Sequence, residues 1–293
     1  LIGARHDGKG SGSHCPSVAA ELSLTPHNSA YETDERRLAL ALVLADAARE
    51  ASLPHFRSGG AVETKQAHGF DPVTEADRAA ERAMRALLAE HAPDDGVDGE
   101  EYGFTPGSTG WVWHLDPVDG TRAFVAGLPL WTVLIGAAFD GEPRIGVIDQ
   151  PVLRERYIGD GMRAWLDTDA GRQPIRVSAQ ADLRQAILST TDPFILTPPE
   201  QGAFTHLRHT ARLTRYGLDA YAYARLAAGS IDIVAETGLQ RHDVAALVPV
   251  VRGAGGVACN WRGEPARLGP QLVCAASQAL LDQALISLRR SAL

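Results

Sequence analysis

Apolar positions recur at helical spacing from Asp34 to about Ser52, where Leu38, Ala41, Leu42, Ala45 and Ala48 fall on one face and Thr33 is the expected N-cap. Ala61 to Lys65 reads as a short strand. A second amphipathic helix opens after Asp71-Pro72-Val73-Thr74, with Ala76, Ala80, Ala83, Met84, Leu87 and Leu88 on one side, and Pro93 closes it. From Trp111 the pattern changes to short β-rich runs at 111–115, 130–139, 144–148 and 155–158, divided by Gly, Pro and Asp turns, which predicts an antiparallel or mixed sheet. Beyond Ser178 strand and helix alternate: strands at 186–189, 232–235 and 257–260, helices at 220–228 and 243–252. An α+β half over residues 30–178 followed by an α/β half over 179–293 predicts a layered sandwich with its site in the seam. Residues 1–29, rich in Gly, Ser and His, are expected to form a disordered tail.

The chain has 293 residues, 45% of them hydrophobic, enough for a sizeable core, and a formal net charge of -8 that argues against a nucleic-acid footprint. Anionic substrates stay open, because a bound metal can supply local positive charge. Cys15, Cys259 and Cys274 are too few and too scattered for a disulfide framework or a zinc site. No apolar run is long enough to span a membrane, and the N-terminal stretch lacks the apolar segment of a secretory signal. A cytoplasmic protein without a membrane partner is the expectation. Because the chain begins at Leu1 and not Met, its first residue need not be the native start.

The densest chemistry lies in Asp116-Pro117-Val118-Asp119-Gly120-Thr121, two carboxylates three residues apart at a strand end with a hydroxyl just beyond. Acids so close repel unless a cation lies between them. Glu100 and Glu101 upstream and Asp243 downstream bring the supply of hard oxygen ligands to two or three Mg²⁺ ions, and paired divalent ions suit phosphate ester chemistry. Plainer readings exist for each residue: a polar turn for 116–120, a solvated acidic loop for 100–101, an N-cap for Asp243. Thr74-Glu75-Ala76-Asp77 also has the form of a capping box. His114 and His242 adjoin the motifs and read as packing residues or as supports behind the ligands rather than as ligands, since the carboxylates already suit Mg²⁺.

These motifs, in this order from Thr33 to the C-terminus, resemble the inositol monophosphatase superfamily of Mg²⁺-dependent, lithium-sensitive phosphatases. The resemblance implies an αβαβα sandwich, often homodimeric. Glu100, Asp116 and the Val118 carbonyl would hold a first ion, and Asp116, Asp119 and Asp243 a second; Glu100 would also reach a third. Asp77 with Thr121 would orient and deprotonate the attacking water, which displaces the phosphate in line without a covalent phosphoenzyme. Gly146 to Gly159 and Gly217 to Tyr223 look like the histidinol-phosphate phosphatases of this fold. Departures are Asp98, where relatives commonly have an apolar residue, and Arg241 and His242, where that subfamily has Pro and an aromatic residue.

Substrate contacts are expected from Asp119, Gly120, Thr121, Asp219, Glu236 and Asp243. Asp219 and Glu236 would favour a cationic substrate such as L-histidinol phosphate, the lesser alternative for Asp219 being a helix cap. The competing functions are an inositol-1-monophosphatase, a sugar-phosphate or 3'-phosphonucleotide phosphatase, and a non-catalytic metabolite-binding regulator.

Overall fold

The structure is a computed structural model and describes residues 31–59, 62–64 and 72–293. The expected tail over 1–29, Asp71 and Cys15 lie outside the described residues. Helix α1 (Tyr31–Ser52) begins before the predicted start, so Thr33 lies within the helix and does not cap it. Strands β1 (Val62–Thr64) and β2 (Pro72–Thr74) pair antiparallel, and β2 leads into α2 (Glu75–His91), with Thr74 as its N-cap.

The larger sheet takes β3 (Gly96–Gly99), β4 (Gly103–Thr105), β5 (Trp111–Asp119), β6 (Thr132–Phe139), β7 (Glu142–Gln150), β8 (Glu155–Gly159), β9 (Ala164–Thr168) and β10 (Gly171–Pro174). Their order is β10-β9-β8-β7-β6-β5-β3-β4, antiparallel throughout except for β3 against β5. A five-residue helix α3 (Thr121–Val125) follows β5. The smaller sheet comprises β11 (Ile187–Ser189), β12 (Leu213–Arg215), β13 (Ile233–Glu236), β14 (Val257–Cys259) and β15 (Leu272–Ala275) in the order β12-β11-β13-β15-β14. Helices α4 (Pro198–Thr210), α5 (Tyr221–Ala227), α6 (Arg241–Gly253) and α7 (Gln278–Leu288) complete the fold. Helices α4 and α7 and strands β12 and β15 have no counterpart in the sequence reading.

Side-chain alternation builds the layers. Along β6, Val133 and Ile135 join a core formed with α1 and α2, whereas Leu134 points into the opposite core formed with α5 and α6. Both faces of this strand are buried, which is why its sequence is a continuous apolar run. A third core lies between the far face of the smaller sheet, through Leu188, Ile233 and Val273, and helices α4 and α7. The result is the expected αβαβα sandwich.

Helix α6, which carries Asp243, is seated on the larger sheet by glycine. Gly136, Gly146 and Gly159 are cross-strand partners on β6, β7 and β8. A Cβ on Gly146 would stand 2.0 Å from the Ala246 carbonyl oxygen, and one on Gly159 2.4 Å from that of Pro249. The contacts are backbone to backbone, so no side chain can turn away. Gly146→Ala is therefore expected to destabilise by about 1–3 kcal/mol, the usual cost of forcing volume into a filled interior. Chemical denaturation measures this, and an unchanged midpoint would contradict the close packing.

Candidate active site

The carboxylates meet at the end of β5 because that strand is irregular. In a regular strand, positions three apart face opposite sides. Here the register against β6 shifts between Asp116 and Asp119. Pro117 has no N–H for the ladder, and the Val118 N–H donates to Asp116 Oδ1 at 3.0 Å instead of to a neighbouring strand. The bulge turns both acids to one side. Asp119 Oδ2 then accepts the Ala220 N–H at 2.7 Å, which ties β5 to the start of α5.

Glu100 follows β3, and its N–H donates to the Leu115 carbonyl at 3.1 Å, extending the parallel pair until Glu100 lies beside Asp116. Asp98, opposite His114 in register, does not disrupt β3. Its Oδ2 lies 3.3 Å from His114 Nδ1 but out of line for a hydrogen bond. Burial pushes His114 down to about 4, against the pull of Asp98. Asp243 enters from α6 at the third helical position, where its Oδ2 accepts the Gln240 N–H at 2.7 Å. Gln240, not Asp243, is thus the N-cap. Capping and site membership coexist in the same carboxylate.

Two sets of potential ligand atoms result, Glu100–Asp116–His242 and Asp116–Asp119–Asp243, each with all atoms within 4.8 Å of one another. Asp116 belongs to both, which is the geometry of a bridging carboxylate. Burial, then the charges of Glu100, Asp119 and Asp243, pushes Asp116 well above the ordinary aspartate range; burial, Asp219 and Asp243 do the same to Asp119. Neither forms a salt bridge with Lys or Arg among the described residues. Mutually repelling oxygen donors gathered around the buried Asp116 fit a pair of divalent cations.

Asp77, at the third position of α2, closes the capping box begun by Thr74: its Oδ2 accepts the Thr74 N–H at 2.8 Å and the Thr74 hydroxyl at 2.6 Å. Its Oδ1 is buried without a partner, and burial raises its pKa, with Glu100 adding to the shift. The Thr121 hydroxyl donates to the Val118 carbonyl at 3.0 Å, so the Asp77–Thr121 bond implied by the resemblance is not made here. Gly120 adopts a left-handed φ of 80°, and a Cβ there would stand 3.2 Å from Asp219 Oδ2. Glycine is what lets β5 turn into α3 against Asp219.

Asp219 and Glu236 line a cavity of about 140 Å³ together with Asp119 and Asp243. Asp219 has φ 48° and precedes Ala220, the N-cap of α5, so it is not the cap. Burial pushes it up to about 6 against the pull of Arg122. Burial likewise raises Glu236 to about 7, partly offset by Thr191. Glu236 Oε1 accepts the Thr191 N–H at 2.7 Å and the Thr191 hydroxyl at 2.6 Å, while Oε2 accepts the Tyr223 hydroxyl at 3.0 Å. Thr191 was not legible as a site residue: it follows β11 in a segment without a motif. Tyr223 lies within the 217–223 segment, yet nothing in its spacing marks it as the donor to Glu236.

The inositol monophosphatase family profile matches residues 34–293. A histidinol-phosphatase of Mycobacterium tuberculosis is 40% identical over 224 residues, covering 75% of this chain and 85% of that protein. The chloroplastic bifunctional phosphatase IMPL2 of Arabidopsis thaliana is 38% identical over 232 residues, 78% of this chain and 66% of that one. Among solved structures, an inositol monophosphatase from Zymomonas mobilis superposes with a TM-score of 0.78 at 37% identity, covering 89% of this chain and 99% of that one. With the acid cluster, the layered fold and these relatives in agreement, the chain belongs to the inositol monophosphatase family of metal-dependent phosphatases.

Proposed function

We propose that the protein hydrolyses L-histidinol phosphate to L-histidinol and phosphate, with Mg²⁺ held by Glu100, Asp116, the Val118 carbonyl, Asp119 and Asp243. Divalent cations, when bound, neutralise phosphoryl oxygens and lower the pKa of water. The residues around them do the rest. Gly120 and Thr121, at the turn into α3, approach the phosphate end of the substrate. Asp219 and Glu236 face the remainder.

The observation that carries the reading is that two acids, half-buried Asp219 and buried Glu236, line the same cavity as Asp119 and Asp243. Histidinol phosphate brings an ammonium and a titratable imidazole to these carboxylates, whereas an inositol ring brings only hydroxyls. The histidinol-phosphatase relative supports this choice, and the inositol monophosphatase neighbour supports the alternative. Inhibition by Li⁺, a homodimeric state and a cytoplasmic location belong to the same proposal. No helix among the described residues is long and apolar enough to cross a membrane.

The test is a side-by-side assay of both phosphate esters. kcat/KM for L-histidinol phosphate is expected to exceed that for inositol phosphates by at least about tenfold, equivalent to roughly 1.4 kcal/mol of preferential transition-state binding. Asp219→Ala should erase most of that preference. Equal activity in the wild type, or an unchanged ratio in the variant, would favour the broader phosphatase, and no phosphate release from any ester would favour a regulator.

A further inference from the structure

One side chain at the start of α6 is not accounted for by the acid cluster. His242 has a side chain only 15% exposed, and its Nε2 stands 3.6 Å from Asp243 Oδ1, too far for a hydrogen bond. A ring nitrogen instead converges with carboxylate oxygens of Glu100 and Asp116, the three atoms lying within 4.8 Å of one another. Ligands about 2.1 Å from one small ion stand roughly 3–4.2 Å apart. Small side-chain adjustments would close this set.

Placement on the helix makes the convergence a consequence of the fold. The cross-strand glycines fix α6 against β6, β7 and β8, and the Asp243 bond to Gln240 fixes its first turn. His242 at the second helical position is therefore carried on a rigid element toward the ends of β3 and β5, where Glu100 and Asp116 lie. The other set, Asp116–Asp119–Asp243, has oxygen donors alone.

We propose that His242 is a nitrogen ligand to the cation held by Glu100 and Asp116. The two cation positions of the site then differ in chemistry. Mg²⁺ binds hard oxygen donors and gains little from imidazole, whereas Mn²⁺, Co²⁺ and Zn²⁺ gain from a nitrogen donor. The position shared by His242 accordingly prefers a transition-metal ion, while the all-oxygen position keeps the preference for Mg²⁺. The inference rests on the metal-dependent reading given above and adds to it a ligand and a metal preference.

The test uses the full chain and a readout independent of turnover. Wild-type protein loaded with Mn²⁺ should show a directly coordinated ¹⁴N coupling in pulsed electron paramagnetic resonance. His242→Phe keeps ring volume and should abolish it. By calorimetric titration the same variant should weaken Mn²⁺ binding about tenfold or more while changing Mg²⁺ binding less than about threefold, as expected for loss of a nitrogen ligand. His242→Gln, which keeps a polar group, should show the same loss and guards against misfolding of the Phe variant, with circular dichroism as the check. Bound Mn²⁺ without nitrogen coupling, coupling retained in His242→Phe, or equal weakening of both ions would overturn the proposal and leave the acid site standing. Absence of Mn²⁺ binding with Mg²⁺ binding intact would overturn this proposal alone, and binding of neither ion would overturn both.

Discussion

Asp116→Asn is expected to lower kcat/KM by about 10³-fold or more, a loss of about 4 kcal/mol of transition-state stabilisation. Asp116 is the only residue common to both ligand sets, so one substitution weakens both cation positions. Exhaustive chelation of the wild type should produce a loss of the same order, restored by adding the cation back. Stability gives a second readout. Added Mg²⁺ should raise the melting temperature of the wild type in proportion to its occupancy, and that of Asp116→Asn much less. Without metal the order changes with pH. A carboxyl whose folded pKa is raised contributes stability that is fully present below its unfolded value, about 4, and lost as pH rises through the folded value. Asp116 is such a group. Metal-free wild type should therefore lose more stability than metal-free Asp116→Asn as pH rises from about 4 through the neutral range. Full activity after chelation would remove the basis for the whole site.

The parts of this site that can be read from sequence are those where one local segment fixes the geometry. Asp116-Pro117-Val118-Asp119-Gly120-Thr121 is such a segment: proline interrupts the ladder, the chain bulges, and both acids turn to one side. Thr74 and Asp77 form their capping box within four residues, so that spacing was also legible. Long-range partners were not. Thr191 is 45 positions from Glu236, and only the parallel pairing of β11 with β13 brings them together. His242 reads as a non-ligand because the carboxylates already suit Mg²⁺, and the sequence does not show where the first turn of α6 points. The glycines that decide it, Gly136, Gly146 and Gly159, lie on three different strands, and their shared purpose exists only in register. Helix α4 is hidden for a local reason. The first turn of α4 is Pro198-Pro199-Glu200, which reads as a loop until Thr197 and Glu200 are seen to form a capping box.

Thr121→Ala is expected to lower kcat by about 10² to 10⁴ while leaving KM nearly unchanged, the pattern of lost general-base assistance. A hydroxyl has one proton to donate, and in the structure Thr121 gives it to the Val118 carbonyl. That carbonyl is also an expected cation ligand. With that carbonyl engaged by a cation, the Thr121 hydroxyl would turn to another acceptor. Asp77 Oδ1 is buried and without a partner, on the helix that follows β2, and β2 lies against α3. The relay implied by the resemblance would pair the freed Thr121 proton with this unpartnered oxygen. Asp77 separates this from simple capping. Asp77→Asn keeps an oxygen for the two Thr74 bonds but cannot take up a proton, so kcat should fall as in Thr121→Ala with little change in melting temperature. If capping were its whole role, Asp77→Ala would cost about 1 kcal/mol of stability and leave kcat untouched. Normal turnover in Asp77→Asn together with a large loss in Thr121→Ala would confine the chemistry to the threonine and detach Asp77 from it.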